Sequence, residues 1–409
     1  MQDQDSRFIQ SLKIKNLLSF GSEGVEVDLK PLNIIIGLNG AGKSNLIEAI
    51  GLLQAAPKSL ADAIAGGGGV QKWLWKGTEN PPIAEIEALV VNPEYYIPLR
   101  YQLSFEPYKE NDFQIKKEYL EDAKVRDPNA NRVYFYYRYE EGQPPVINVA
   151  GESQERHLKR DEADAIQSVL QQRQDRDLYP ELSYLSKQFA DVRLYRYWNF
   201  KPNEAPRKPQ SYRQLEPFLE ENGSNLAGVL NELNNIKSKR RNFLNIEKNL
   251  KSFNNRFESI QVKHYGTTLE LFIKEQGLWD AIPAVRLSEG TLRYLCLLAI
   301  LCHPDPPPLI CLEDPETGLH PDQMPALAEL IIKASEKTQI IITTQSDMFL
   351  SSFTDAYLND LTASKSLIVC EHDEKGSHLR QWSREELKDG LEEDSLGGLW
   401  MRGLLGGVR

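Results

Sequence analysis

The residues with the clearest chemical spacing lie in a glycine-rich segment near the N-terminus. Residues 37–44 read Gly-Leu-Asn-Gly-Ala-Gly-Lys-Ser, which fits the phosphate-loop pattern G-x-x-x-x-G-K-[ST]. Backbone N–H groups of such a loop surround phosphate oxygens, and the N-terminus of the next helix adds partial positive charge. Lys43 is expected to reach the β- and γ-phosphates of a nucleotide, and the Ser44 hydroxyl to bind Mg²⁺. The predicted nucleotide-binding residues are Asn39, Gly40, Ala41, Gly42, Lys43, Ser44 and Asn45.

A strand and a helix must hold this loop in place. Leu32–Ile36 is an apolar run that predicts a buried strand, and residues 45 to 54 predict a helix opened by the Lys-Ser pair. A strand before and a helix after is the context that the pattern requires. The alternative is a glycine-rich turn that binds no ligand.

Carboxylates follow a second apolar strand, predicted over residues 308–312. Glu313, Asp314 and Glu316 come directly after it. Carboxylates at such a position are expensive to desolvate, and Mg²⁺ would offset that cost. One carboxylate can hold the water shell of the metal, and the next can orient an attacking water. An acidic surface turn is the alternative.

Two further segments place polar groups at the ends of predicted elements. Ser288, Glu289 and Gly290 precede an apolar helix at residues 292–301, and a helix N-terminus is an anion site. This short pattern is weak alone, because Ser-Gly turns are common. The apolar strand at residues 339–344 ends at Gln345, whose side chain can sense a γ-phosphate.

Two single residues are weaker candidates. Asn16 follows a predicted hairpin strand and would lie near the adenine side of a nucleotide; a plain loop is an equal alternative. Gln71 follows four consecutive glycines, which predict a flexible connection. It can sense the metal or the γ-phosphate, although an exposed loop residue is the commoner case.

The net charge of −11 over 409 residues excludes a wholly basic protein that coats nucleic acid. Contact with DNA would need a local patch. The strongest basic cluster is Lys237, Lys239, Arg240 and Arg241, a candidate for contact with phosphates. A solvated helix face explains the same cluster and is favoured.

The length provides core for two or three domains. The four cysteines form no C-x-x-C pair and lie in or beside apolar runs, which favours reduced core residues. The sequence shows no signal-peptide pattern and no apolar run long enough to span a bilayer. We therefore expect a soluble, cytoplasmic protein without membrane contact.

The remaining pattern predicts sheet and helix in alternation. Alternating residues predict a hairpin over 12–16 and 25–29, and strands over 83–91, 96–105, 113–120 and 132–139, with a turn at 127–131. Helical patterns cover 155–192 and 215–251, with a strand at 192–200 between them. A hairpin over 367–382 and a helix over 384–393 are predicted near the end.

The order of these motifs is similar to that of ABC-class ATPases of the RecF, SMC and OLD type. GLNGAGKS, LSEGT, ICLEDPETGLHP and IIITTQS occur in that order, and the resemblance covers about residues 12–55 and 265–350. This branch is separate from the ring-forming AAA+ ATPases, although "AAA family" is a common label for it. ENGSNLAGVL and GGLWMRGLLGG resemble segments of stand-alone ATPases in this branch.

The resemblance implies a role for each motif residue. Glu313 stands at the metal-supporting Walker B position and Asp314 at the catalytic position, with Glu316 as the second candidate base. The order here is Glu-Asp, whereas Asp-Glu is commoner in the family. Gln345 occupies the switch-histidine position, and glutamine does not titrate near neutral pH. Ser288 to Gly290 would contact the γ-phosphate of a nucleotide held by another subunit, which implies a dimer with two composite sites closed by ATP.

The architecture implied is an α/β ABC-type, RecF/SMC-like ATPase head with mixed sheets and a P-loop core. Residues 1–95 and 261–409 would form the head, and 96–260 an inserted β-rich and helical subdomain without a long coiled coil. The function implied is an ATP- and Mg²⁺-dependent switch that controls a DNA-related effector. That effector would be a separately encoded nuclease or toxin in anti-phage defence or DNA repair. The alternatives are a RecF-like repair ATPase and a nucleotide-dependent scaffold with negligible turnover.

Overall fold

Three sheets organise the part of the chain that the computed structural model describes. That part comprises residues 7–93, 96–109, 112–126, 132–158, 165–211, 216–360 and 364–406. The predicted turn at 127–131 lies outside these residues. Each described helix is too short or too polar to cross a lipid bilayer.

The first sheet is antiparallel and has eight strands. Ala84–Val90 alternates buried and half-buried residues, the pattern of a sheet with one covered face. The strands, in sheet order, are β2 (Val25–Asp28), β1 (Ile9–Lys15), β4 (Ala84–Val90), β5 (Leu99–Tyr108), β6 (Asp112–Asp122), β7 (Phe135–Glu140), β8 (Val146–Ile147) and β9 (Arg156–His157).

The second sheet is mostly parallel and lies at the centre. Its order is β10 (Arg193–Tyr195), β15 (Leu309–Glu313), β16 (Gln339–Thr343), β3 (Leu32–Ile36), β17 (Lys365–Asp373) and β18 (Gly376–Trp382). Only the β17–β18 pair is antiparallel. The carboxyl ends of β3, β15 and β16 therefore meet at one edge, where open α/β sheets bind ligands.

The third sheet is small and antiparallel. It contains β11 (Gln210–Ser211), β13 (Thr268–Glu275), β12 (Phe257–Tyr265) and β14 (Ile282–Pro283).

Helices cover both faces of the central sheet. They are α1 (Lys43–Ala55), α2 (Leu60–Gly66), α3 (Val70–Trp73), α4 (Val169–Gln172), α5 (Pro180–Asp191), α6 (Leu226–Asn235), α7 (Arg240–Phe253), α8 (Glu289–Leu301), α9 (Met324–Ser335), α10 (Asp347–Ser351), α11 (Thr354–Leu358), α12 (Arg384–Glu393) and α13 (Leu396–Met401). At 14 residues, α7 is the longest of the described helices. No long coiled coil is therefore present in the described residues.

Strand β3 shows how the sheet separates two cores. Ile34 points into a core shared with α6 to α10, whereas Ile35 points into a core shared with α1, α5 and the first sheet. All five residues of β3 are buried, as expected of a strand covered on both faces. The four cysteines lie in these cores as free thiols.

Most predicted strands are confirmed, with differences in the helical regions. The helical pattern over 215–251 forms two helices, α6 and α7, whereas the region 155–192 contains strand β9 as well as helices α4 and α5. The four glycines at 66–69 do not form a long flexible connection, because Gly66 ends α2 and Val70 begins α3. The first sheet contains strands from both sides of the predicted domain boundary at residue 95, because β4 pairs with β5. Strand β10, from the predicted insert 96–260, pairs with β15 in the central sheet. The division into three parts stays a prediction.

Candidate nucleotide site

The phosphate loop lies between β3 and α1, as its sequence predicts. Gly37, Gly40 and Gly42 have φ values of 147°, 80° and 112°, a backbone region that favours glycine. A Cβ atom at Gly42 would also collide with the Ser377 hydroxyl, and one at Gly37 with the Cys370 carbonyl. Gly37 and Gly42 are therefore required by both backbone geometry and space, and Gly40 by backbone geometry alone.

Two serines that the sequence analysis missed support this loop. Ser377 Oγ lies 2.6 Å from the Ala41 carbonyl oxygen and 2.7 Å from Ser19 Oγ. The Ser377 backbone N–H donates to the Ser19 carbonyl at 2.7 Å. Their local sequence carries no signal, because the contact joins residues 358 positions apart.

Lys43 is buried and its ammonium group contacts its own loop. It donates to the carbonyls of Gly37 at 2.7 Å and Leu38 at 3.0 Å. Burial lowers the pKa of Lys43, and the charges of Asp314 and Glu313 oppose that shift. The predicted phosphate-binding lysine therefore faces the predicted carboxylates.

Ser44 and Glu313 meet as predicted. The Ser44 hydroxyl donates to Glu313 Oε1. The other oxygen, Oε2, accepts from Arg196 Nε at 3.1 Å. Arg196 also pairs with Glu48 of α1 at 3.3 Å. Arg196 belongs to none of the sequence motifs.

Asp314 has a buried oxygen that lacks a partner. Its φ is +44°, and its backbone N–H donates to the Thr343 carbonyl at 3.1 Å. Oδ2 accepts from Gln345 Nε2 at 3.3 Å, whereas Oδ1 has no hydrogen-bond partner. Burial raises the pKa of Asp314. The structure thus brings Asp314 and Gln345, from two of the motifs, into contact.

Glu316 lies deeper than Asp314. Its Oε1 accepts from the Thr344 hydroxyl, and its Oε2 is buried without a partner. Burial raises its pKa to about 7. Only 6% of the residue is exposed, which makes Glu316 less accessible to an attacking water than Asp314.

The donor set fits Mg²⁺ bound together with a nucleotide. Mg²⁺ in such sites usually takes one or two carboxylates, several waters and substrate phosphates. Ser44 and Glu313, which are in contact, supply hard oxygen donors at one place. Among the described residues, no group of three or more His, Cys, Asp or Glu side chains could hold a metal ion. The protein groups alone are therefore too few for a dedicated metal cage.

Asn16 and Gln71 belong to two chain segments that are linked by backbone hydrogen bonds. Trp75 N–H donates to the Asn16 carbonyl at 3.0 Å, and Leu18 N–H donates to the Trp73 carbonyl at 2.6 Å. The Asn16 side chain donates to the Ile83 carbonyl and leaves Oδ1 buried without a partner. Gln71 is exposed on α3. Their roles toward a nucleotide stay predictions.

The signature residues begin α8. Ser288 Oγ accepts from the Thr291 N–H at 3.1 Å and caps the helix, while Ser288 and Glu289 are exposed. A Cβ at Gly290 would lie 3.1 Å from the Gly318 carbonyl. The helix start therefore packs on the turn that follows Asp314. Within the described chain, no hydrogen bond joins residues 288–290 to the phosphate loop.

A buried arginine holds the segment before the signature. Arg207 Nε donates to the Phe200 carbonyl at 2.6 Å, and Nη1 donates to the carbonyls of Ala284 at 3.1 Å and Leu287 at 2.7 Å. Arg207 thus fixes the backbone that presents Ser288.

The basic cluster is partly neutralised. Lys239 pairs with Glu232 at 2.7 Å and with Asp305 at 3.8 Å, and Arg240 donates to Asn234. Lys237 and Arg241 are exposed. Contact with DNA stays a prediction.

Comparison with known proteins identifies a family and a fold for the chain. A family model described as "AAA domain, putative AbiEii toxin, Type IV TA system" matches residues 32–351. This match contains all four motifs. No curated protein matches the chain.

Solved SMC heads share the fold. One is an Smc head bound to the C-winged helix domain of ScpA, with 15% identity, a TM-score of 0.53, and coverage of 93% of this chain and 99% of that chain. Another is an Smc head with an extended coiled coil bound to the C-terminal domain of ScpA from Pyrococcus furiosus. It has 14% identity, a TM-score of 0.53, and coverage of 94% and 99%.

A head from Pyrococcus yayanosii with a coiled coil and joint has 13% identity, a TM-score of 0.50, and coverage of 94% and 99%. At these identities the likeness concerns the fold alone, and it confirms the predicted ABC/SMC-like head. Because the family model matches most of the chain, the protein belongs to the AAA domain family described as putative AbiEii toxin of Type IV TA systems.

Proposed function

We propose that this chain is an ATP-binding and ATP-hydrolysing dimeric switch that controls a separately encoded effector. The observation that carries the proposal is the contact of Ser44 with Glu313, next to Asp314, whose Oδ1 has no hydrogen-bond partner. An unpartnered acceptor beside a phosphate loop suits a water that attacks the γ-phosphate.

The chain supplies most of the chemistry by position and charge. Loop N–H groups and Lys43 hold the phosphates, and Ser44 with Glu313 would hold Mg²⁺, which neutralises developing phosphate charge. Gln345 fixes one oxygen of Asp314 and leaves the other for water. Burial raises the pKa of Asp314, which makes its carboxylate a stronger base.

The dimer is proposed because the signature is exposed and separate from the loop. Ser288 to Gly290 have no hydrogen bond to residues 37–45 within the described chain. A second subunit would place its signature on the γ-phosphate, so ATP would close the dimer and hydrolysis would open it.

Control of a partner protein is supported by two of the similar SMC heads, which were solved with ScpA bound. The family description names a toxin–antitoxin system, which favours a role in defence. A nuclease or toxin in anti-phage defence or DNA repair is the effector class proposed. A RecF-like role would require DNA to stimulate turnover through Arg240 and Arg241.

A scaffold with negligible turnover is the second candidate. The observation that favours it is Asp314 itself, whose side chain is one methylene shorter than the glutamate usual at the catalytic position. A shorter base held by Gln345 would hydrolyse slowly and keep the dimer closed for longer.

The test is the ATP turnover rate per subunit over a range of protein concentrations, with and without duplex DNA. A composite site predicts that the rate per subunit rises with concentration. Ser288→Arg is expected to abolish it, because the bulky cation blocks the signature. Ser383→Arg is the matched control, since Ser383 caps the remote helix α12 in the same way. A concentration-independent rate that survives Ser288→Arg would refute the composite site, and ATP binding without turnover would favour the scaffold.

A further inference from the structure

Arg196 joins three elements of the nucleotide site through one guanidinium group. Nε donates to Glu313 Oε2 at 3.1 Å, and Nη2 donates to Glu48 Oε2 at 3.3 Å and to the Tyr197 hydroxyl oxygen at 2.9 Å. The Arg196 and Glu313 side chains are only 12% and 13% exposed. The pair is therefore shielded from water, unlike most surface ion pairs.

The register of the central sheet places Arg196 there. Strand β10 pairs in parallel with β15, with Tyr195 opposite Leu312. The next residues along the two strands are Arg196 and Glu313, so both side chains reach the same carboxyl edge. Glu48 lies one helical turn after Ser44 on α1 and faces the same space. The contact is thus built into sheet and helix geometry.

The two oxygens of Glu313 have different partners. Oε1 accepts from the Ser44 hydroxyl and Oε2 from Arg196. A glutamate has one more rotatable bond than an aspartate, and it loses more rotamer freedom when it is held in one place. Two opposed contacts fix the plane of the carboxylate. The planar guanidinium suits this task, because its donors are rigidly spaced.

Resting on the proposed hydrolysis, we infer that Arg196 is a positioning residue for the reaction. It orients the long Glu313 side chain toward Ser44, and so allows glutamate to serve at the metal-supporting position. Arg196 acts through Glu313 and does not itself touch the nucleotide or the metal.

A purely structural role for Arg196 makes a different prediction. Arg196 also links β10 to α1 through Glu48, and that link would stabilise the fold without orienting Glu313. In that case Glu48→Gln would reproduce the effects of losing Arg196. If Arg196 works through Glu313, Glu48→Gln leaves metal affinity unchanged.

The first experiment measures Mn²⁺ binding to the ATP complex by electron paramagnetic resonance, alongside turnover. Partners that orient a metal ligand typically change affinity or activity 10- to 100-fold, so Arg196→Ala is expected to weaken Mn²⁺ binding about tenfold or more. Arg196→Lys keeps the positive charge but not the planar set of donors, and an intermediate loss of Mn²⁺ affinity is expected. Arg193→Ala is the matched control. Arg193 begins β10, three residues before Arg196, and donates to the carbonyls of Ala190 and Val192, away from Glu313.

The second experiment is a double-mutant cycle with Glu313→Asp. Aspartate is shorter by about 1.5 Å, roughly one carbon–carbon bond, and it cannot keep both the Ser44 and the Arg196 contacts. Arg196→Ala is therefore expected to add little loss of Mn²⁺ affinity in the Glu313→Asp background. Equal losses in both backgrounds, or the same loss from Glu48→Gln, would overturn the inference.

The two proposals fail in distinguishable ways. If the wild type binds ATP and Mn²⁺ but does not hydrolyse ATP, the proposed hydrolysis fails, while the metal affinities still test Arg196. If the wild type hydrolyses ATP and Arg196→Ala changes neither metal affinity nor turnover, only the positioning role fails. Thermal unfolding of each variant separates loss of fold from loss of positioning.

Discussion

Buried carboxyl groups in two sheets of this protein have opposite surroundings. In the antiparallel sheet, Glu118 accepts from Tyr101 at 2.7 Å, from the Ser168 hydroxyl at 2.5 Å and from the Val169 N–H at 2.9 Å. At the edge of the parallel sheet, Asp314 Oδ1 and Glu316 Oε2 are buried and have no hydrogen-bond partner.

This difference in hydrogen bonding distinguishes acids with a structural role from acids whose oxygens are available to a ligand. The interior of the antiparallel sheet supplies donors from a neighbouring strand and from α4, so both oxygens of Glu118 are satisfied. The carboxyl edge of a parallel sheet leaves a crevice in which a ligand provides the missing partners. We therefore expect substitutions in the first sheet to change stability, and substitution of Asp314, the more accessible of the two edge acids, to change nucleotide chemistry.

Lys43→Ala is expected to have the largest effect. Its buried ammonium group faces Asp314 and Glu313, and it is the main cation placed for phosphate. ATP affinity should fall by about 100-fold or more, the scale of losing a desolvated charge contact. Titration calorimetry checks this, with Lys58→Ala as the control because Lys58 donates to the Ala190 carbonyl elsewhere. Unchanged ATP affinity in Lys43→Ala would contradict the interpretation of residues 37–44 as a phosphate loop.

Asp314→Asn is expected to stop turnover without stopping binding. The amide keeps the size of the side chain but cannot take a proton from water, so turnover should fall by about 100-fold, the usual contribution of a general base. The dimer should then persist with ATP bound, as seen by light scattering.

Glu316→Gln is the matched comparison. The amide oxygen can still accept from Thr344, and a residue this deeply buried is not expected to contact the attacking water. Turnover should therefore stay close to that of the wild type. Normal turnover in Asp314→Asn together with its loss in Glu316→Gln would transfer the role of base to Glu316.

Glu118→Gln is expected to change stability and not turnover. Burial raises the pKa of Glu118 from 4.5 to about 7. Between these values the folded state binds more protons than the unfolded state, so the free energy of unfolding falls as the pH rises through this window. The slope contributed by one such group is at most about 1.4 kcal/mol per pH unit.

Urea unfolding between pH 4.5 and 7 measures this slope. Glu316 contributes in the same window, so Glu118→Gln should reduce the slope by the share of one group, whereas the exposed Glu392→Gln should leave it unchanged. An unchanged slope in Glu118→Gln, or a loss of ATP turnover in that variant, would remove the distinction between the two sheets.

The sequence was sufficient to place residues that belong to a local pattern. Lys43, Ser44 and Glu313 follow apolar strands and helix starts, and parallel strands bring their carboxyl ends to one edge by rule. The family match and the SMC-head fold agree with that interpretation. The contact between Ser44 and Glu313 could therefore be predicted across 269 positions of sequence.

Other parts of the site depend on contacts that no local pattern encodes. A strand near residues 192–200 was predicted, but not its pairing with β15, and that pairing brings Arg196 to Glu313. Ser19 and Ser377 meet at Ala41 only because the hairpin of β17 and β18 folds beside β3. Lys239 looked available for DNA, whereas Glu232 and Asp305 pair with it in the fold.

The most direct test of the composite site mixes two inactive variants. In a Lys43→Ala dimer both phosphate loops are inactive, and in a Ser288→Arg dimer both signature segments are inactive. In a heterodimer of the two, one site combines an intact loop with an intact signature. Mixing should restore turnover to at most about a quarter of the wild-type rate, as random exchange in a two-fold dimer requires. No recovery, with heterodimers shown to form by native mass spectrometry, would contradict a site shared between two subunits.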